Sequence, residues 1–102
     1  MYYIYFLHSK THDKNYVGFT QNVQKRIVQH NSNNNLHSFT SKFKPWELIG
    51  YFCVGDSKHD AMKVERFIKK QKSRKFNQRV ISSVDDKEFI DKLVNDILLK
   101  DC

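Results

Sequence analysis

Two short runs dense in aromatic and β-branched residues, MYYIYFL at 1–7 and NYVGF at 15–19, flank a polar, turn-prone stretch. Such side chains suit a pleated, half-buried surface, and two of these runs joined by a short polar segment predict a β-hairpin. Tyr3-Ile4-Tyr5 and Tyr16-Val17-Gly18 would then lie side by side on paired strands.

The segment Thr20 to His30 follows a helical period. Val23 and Ile27, four apart, form a buried stripe, while Arg26 and His30, also four apart, share a different face. Thr20 or Asn22 supplies a cap, and Asn31 to Asn35 (NSNNN) ends a helix of about three turns. Trp46 to Val54 (WELIGYFCV) reads as a third strand, placed mid-sheet or against helices, with Cys53 as a buried strand residue. Asp56 or Ser57 caps a helix over about Lys58 to Lys72, in which Ala61, Val64 and Ile68 face inward. A last helix, about Asp85 to Leu99, begins with the acidic cap Asp85-Asp86-Lys87-Glu88 and aligns Phe89, Ile90, Leu93, Val94, Ile97 and Leu98 for packing.

A chain of 102 residues supports one small domain. Its apolar runs fall far short of a membrane span and MYYIYFL lacks the marks of a signal peptide, so a cytoplasmic location is expected. Two cysteines, Cys53 and Cys102, without zinc-site spacing argue against a disulfide framework or structural zinc. The net charge of +7 is concentrated, because Lys58 to Arg79 holds nine Lys or Arg against Asp60 and Glu65 and the remainder is neutral. A polyphosphate partner would exploit that concentration through counterion release; a solvated helix face is the competing explanation. Lys63, Arg66, Lys69, Lys70, Lys72, Arg74 and Lys75 are the expected nucleic-acid contacts, with Asn34 and Asn35 as minor candidates.

Glu65, one turn after Ala61 and one before Ile68, aims its carboxylate toward the domain body, where a lone charge is costly. A cation should compensate it, either a Lys or Arg in an internal salt bridge or a divalent metal.

These residues resemble the GIY-YIG nuclease superfamily, in particular its small stand-alone bacterial members. The first motif falls on Tyr3-Ile4-Tyr5, the second on Tyr16-Val17-Gly18, the helix Arg on Arg26 with His30 one turn later, and the metal-binding Glu on Glu65. Tyr3 stands where the family name has Gly, and Val17 where it has Ile. The resemblance covers roughly residues 1–80 as a catalytic module, leaving 81–102 for a C-terminal helix packed on the same domain. It implies an α+β fold, a three-stranded antiparallel sheet flanked by helices in the order β-β-α-β-α-α.

It also implies a metal-dependent DNA endonuclease of low intrinsic sequence specificity, with selectivity for branched or damaged structures and a targeting protein partner as further expectations. Tyr16 would position or deprotonate water beside Tyr5, Arg26 would grip phosphate oxygens, and His30 would bond phosphate or relay a proton in either charge state. Glu65 would hold one Mg²⁺ or Mn²⁺. Asn77, twelve residues after Glu65, is a further expected contact. The alternative is a noncatalytic nucleic-acid-binding or accessory module. Taken singly, the tyrosines read as core aromatics and His30 as a surface residue; their combination favours the enzyme.

Overall fold

The computed structural model describes residues 1–32 and 42–100; Asn34, Asn35 and Cys102 lie outside them. Strands β1 (Tyr2–Ser9) and β2 (Lys14–Thr20) form the antiparallel hairpin, with Tyr5 opposite Gly18 and Leu7 opposite Tyr16. After helix α1 (Val23–Asn31), strand β3 (Glu47–Gly55) pairs antiparallel with the other edge of β1, giving the sheet order β2-β1-β3. Helices α2 (Lys58–Gln71), α3 (Arg74–Ser82) and α4 (Lys87–Lys100) complete an α+β fold.

The third strand is thus an edge strand, and β1 occupies the middle. Ile4, Tyr5, Phe6 and Leu7 are buried in succession because β1 is covered on both faces and paired on both edges. Strand alternation divides them. Ile4 and Phe6 join Val17, Phe52, Val64, Ile68, Val80, Ile90, Val94 and Ile97 in the main core, whereas Tyr5 and Leu7 pack with Val23 and Trp46 on the opposite face. A register shift between Phe6 and Leu7 lets Leu48 face Leu7 and Tyr51 face Tyr5 although they are three residues apart, which is the action of a bulge. Cys53, expected to be buried, is exposed, as is Tyr51. The cover on that face, including Ile27 and Phe43, gathers around Tyr5 and Leu7 and leaves the end of β3 to solvent.

Of the two candidate caps of α1 it is Asn22, not Thr20, that serves, accepting a bond from the Lys25 N–H at 3.0 Å. Asn31 ends it and also clamps β3. Its Nδ2 donates to the Trp46 carbonyl at 3.0 Å and its Oδ1 accepts from the Trp46 N–H at 2.6 Å, replacing the two bonds a neighbouring strand would make. In α2, Ser57 is the cap and Ala61, Val64 and Ile68 are buried, as their spacing requires.

One helix is added to the expected order. The chain leaves α2 at Lys72 in the left-handed region (φ 48°), and Ser73 starts α3 by accepting from the Phe76 N–H at 3.1 Å. Asp86 caps α4 through the Phe89 N–H at 3.1 Å, and Ile90, Val94 and Ile97 bury its inner face.

Candidate active site

Tyr5 enters the site from the central strand, almost wholly buried, and its position depends on what stands opposite. A Cβ placed on Gly18 would lie 2.5 Å from the Tyr5 hydroxyl oxygen and 2.6 Å from its ring carbon Cζ. Gly18 therefore serves close approach: the phenol lies across bare backbone on β2. Gly18→Ala should push the hydroxyl out of place at a cost of about 1–3 kcal/mol of stability. Chemical denaturation checks this; a midpoint equal to wild type would show that the ring has free space.

The Tyr5 hydroxyl is bound from α1. Arg26 Nε donates to it at 3.3 Å, and His30 Nε2 lies 2.8 Å away. Burial, chiefly, pushes the phenol pKa up to about 12; the Arg26 hydrogen bond pulls the other way, and the Glu65 carboxylate adds to the rise. His30 is also buried, at 2 % exposure, which corrects its reading as a surface histidine. Burial first and the Arg26 charge second push its pKa down to about 4, so it is neutral near pH 7. Either charge state was expected from sequence; the enclosure selects one. A protonated, buried phenol needs an acceptor, and among the described residues His30 Nε2 is in place to be it; with the phenol donating, the imidazole proton sits on Nδ1.

Tyr16 stands next to this network on β2, half-buried where Tyr5 is enclosed. Its ring centroid is 6.3 Å from that of Tyr5, 5.1 Å from His30 and 6.2 Å from Trp46. Lys69, from α2, places Nζ 5.1 Å from the Tyr16 centroid and 3.2 Å from Glu65 Oε1. Tyr5, Tyr16, Arg26 and His30 thus form one contact cluster, and Lys69 joins Glu65 to it. The cation beside Glu65 is the lysine one turn on, an i,i+4 pair worth about 0.3–0.5 kcal/mol where exposed.

The surrounding surface divides between two neighbouring cavities. Glu65 lines one of about 300 Å³ with Phe19, Met62, Arg66, Lys69, Lys70 and Lys72. Tyr16 lines another of about 320 Å³, which shares Lys69 and Lys72 and includes Asn77. Tyr5 and Arg26 line neither, so these two hollows lie beside an enclosed Tyr5. The largest cavity described, about 560 Å³, lies elsewhere, between β3 and the start of α4.

Of the expected nucleic-acid contacts, Arg66, Lys69, Lys70, Lys72, Arg74 and Lys75 are exposed and Lys63 is half-buried. Arg74 is committed to the hairpin loop, with Nη1 3.1 Å from Asp13 Oδ1 and Nη2 donating to the Asp13 carbonyl at 2.7 Å. Asn77 keeps a buried Oδ1 without a hydrogen-bond partner, a costly arrangement next to Tyr16.

Among the described residues no three His, Cys, Asp or Glu gather as a metal cluster. Glu65 is a single hard oxygen donor at the rim of a hollow. That donor fits a divalent ion which keeps most of its waters and takes substrate oxygens, as Mg²⁺ does.

Residues 1–78 match the family model of the GIY-YIG catalytic domain. The chain is also similar to the "UPF0213 protein in ldhD 5'region" of Pediococcus acidilactici, 39% identical over 61 residues. That match covers 59% of this chain and 60% of the relative's own length. The hairpin that sets Tyr5 against Gly18, the helix that brings Arg26 and His30 to it, and a domain match over residues 1–78 lead to one statement: the chain belongs to the GIY-YIG family, a nuclease-type family.

Proposed function

We propose that this protein is a divalent-metal-dependent endonuclease that hydrolyses DNA phosphodiester bonds with little intrinsic sequence specificity. The observation that carries the reading is the Tyr5, Arg26 and His30 network held against Gly18, with Tyr16 in contact and the Glu65 carboxylate joined through Lys69.

Tyr16, the less enclosed of the two tyrosines, orients the attacking water and, as phenolate, takes its proton as the water oxygen bonds to phosphorus; the bond to the 3′ oxygen breaks and that oxygen takes a proton from solvent. Tyr5 stays protonated and is a fixed donor and acceptor, since its pKa of about 12 removes it as a base. Neutral His30 holds that phenol in orientation. Arg26 bonds Tyr5 through Nε and Gln29 Oε1 through Nη1 at 3.0 Å, and its charge stabilises the non-bridging phosphate oxygens. Glu65 would hold one Mg²⁺ or Mn²⁺, which when bound supplies Lewis-acid stabilisation of negative charge on the phosphate.

The basic stretch from α2 into α3 tracks the backbone. Its contacts are Lys63, Arg66, Lys69, Lys70, Lys72 and Lys75, with Arg74 bracing the hairpin loop through Asp13 beside them; the set is sequence-independent and suited to branched or damaged DNA delivered with a protein partner. Among the described residues no helix is long and apolar enough to cross a membrane. The proposed setting is the cytoplasm, in DNA repair.

The test is to form complexes with labelled DNA in EDTA across a salt series and then add Mg²⁺. Binding should fall steeply with salt, and neutralising Lys69, Lys70 and Lys72 together should flatten the slope by about three phosphate contacts on every sequence alike. Cleavage should begin on adding Mg²⁺. Salt-sensitive binding with intact DNA after Mg²⁺ would favour the noncatalytic accessory module, which the same basic surface would also serve.

A further inference from the structure

Lys69 performs two tasks with one ammonium group. Its Nζ pairs with Glu65 Oε1 at 3.2 Å and lies over the Tyr16 ring at 5.1 Å from the centroid, so it stands between the two groups that hydrolysis requires to act together. The lysine side chain is 46% exposed while that of Glu65 is 20% exposed. Lys69 can therefore swing outward into solvent, whereas the carboxylate stays with its helix face. Two cavities meet at this lysine, one lined by Glu65 and the other by Tyr16.

A carboxylate oxygen in an ion pair with lysine is a weaker ligand for a second cation, because the two positive charges repel and the lone pair is already engaged. An i,i+4 pair whose lysine is partly exposed is weakly held on that side and readily exchanged. Once free, the ammonium remains within reach of a phosphate seated over the same hollows, beside Lys70 and Lys72.

We propose that Lys69 is a place-holding cation: it neutralises Glu65 and caps Tyr16 in the free protein, yields the carboxylate to a divalent ion, and passes to the nucleic-acid phosphate. This rests on the reading of Glu65 as the metal ligand. Lys69 thereby couples metal entry to substrate binding, since the ion that displaces it also releases a charge for the backbone.

The experiment measures Mn²⁺ affinity by electron paramagnetic resonance on the full chain without nucleic acid. Wild type, Lys69→Met, Lys69→Arg and Glu65→Gln are compared, each checked for folding by circular dichroism. Methionine keeps the apolar stem and removes the charge, and arginine restores a cation. Lys69→Met should bind Mn²⁺ roughly two- to fivefold more tightly, Lys69→Arg should stay close to wild type, and Glu65→Gln should lose the site. The salt slope of DNA binding in Lys69→Met should fall by about one phosphate contact. Loss of Mn²⁺ in Glu65→Gln with unchanged or weaker binding in Lys69→Met overturns the place-holder and leaves Glu65 as the ligand. Wild-type Mn²⁺ binding by Glu65→Gln overturns both.

Discussion

Glu65→Ala should abolish metal-dependent cleavage, a loss on the order of 10³-fold or more, while DNA binding holds or tightens slightly. The carboxylate is the anchor proposed for the ion, so its removal takes away charge stabilisation at the phosphate. It also takes away a negative charge from a surface meant to receive phosphates. Stability should change little, because among the described residues Glu65 pairs with Lys69, a partly exposed partner on the same helix. Cleavage rate, binding anisotropy and thermal melting on one preparation separate these effects. A folded variant that cuts as fast as wild type would remove Glu65 from the mechanism.

Tyr16→Phe and Tyr5→Phe should fail in different ways. Tyr16→Phe keeps the ring against His30, Trp46 and Lys69 and deletes only the hydroxyl, so the fold should stand while the rate falls by about 10²–10⁴-fold. Tyr5→Phe leaves Arg26 Nε and His30 Nε2 without their shared partner in a buried place, which costs about 1–3 kcal/mol of stability as well as activity. Denaturation midpoints and single-turnover rates distinguish them. Equal destabilisation in the two variants would show that the hydroxyls are not divided between catalysis and support. Because His30 is held neutral down to about pH 4 and Tyr5 protonated up to about pH 12, neither should impose a step on the rate profile between pH 6 and 9.

The parts of the fold that sequence reveals are those governed by short-range chemistry. Alternating aromatics and a polar turn specify the hairpin, and Ala61, Val64 and Ile68 mark the buried side of α2. Helix α3 was hidden because nine cationic residues dominate Lys58 to Arg79, and Phe76, Val80 and Ile81, whose spacing is helical, are easily passed over among them. The order of the strands depends on long-range pairing, which explains why β3 could be read as central and Cys53 as buried.

In the site, one-turn spacing was enough to put Arg26 and His30 together, but it could not show that His30 would be enclosed and therefore uncharged. Gly18 stood in plain view within the second motif. Its purpose, giving the Tyr5 phenol room to lie across the neighbouring strand, is visible only when the strands are in register. Lys69 was one of seven basic residues until α2 set it between Glu65 and Tyr16.

The central claim is that these side chains cut phosphodiester bonds, and the most direct measurement is made on the unaltered protein. Labelled linear, nicked, flap and four-way DNA are incubated with it in Mg²⁺, in Mn²⁺ and in EDTA, and the products are resolved by length. The account predicts cleavage of at least one of these substrates with either metal and none in EDTA. DNA that is bound yet intact with every metal and every structure, or cleavage that persists undiminished in EDTA, would contradict it.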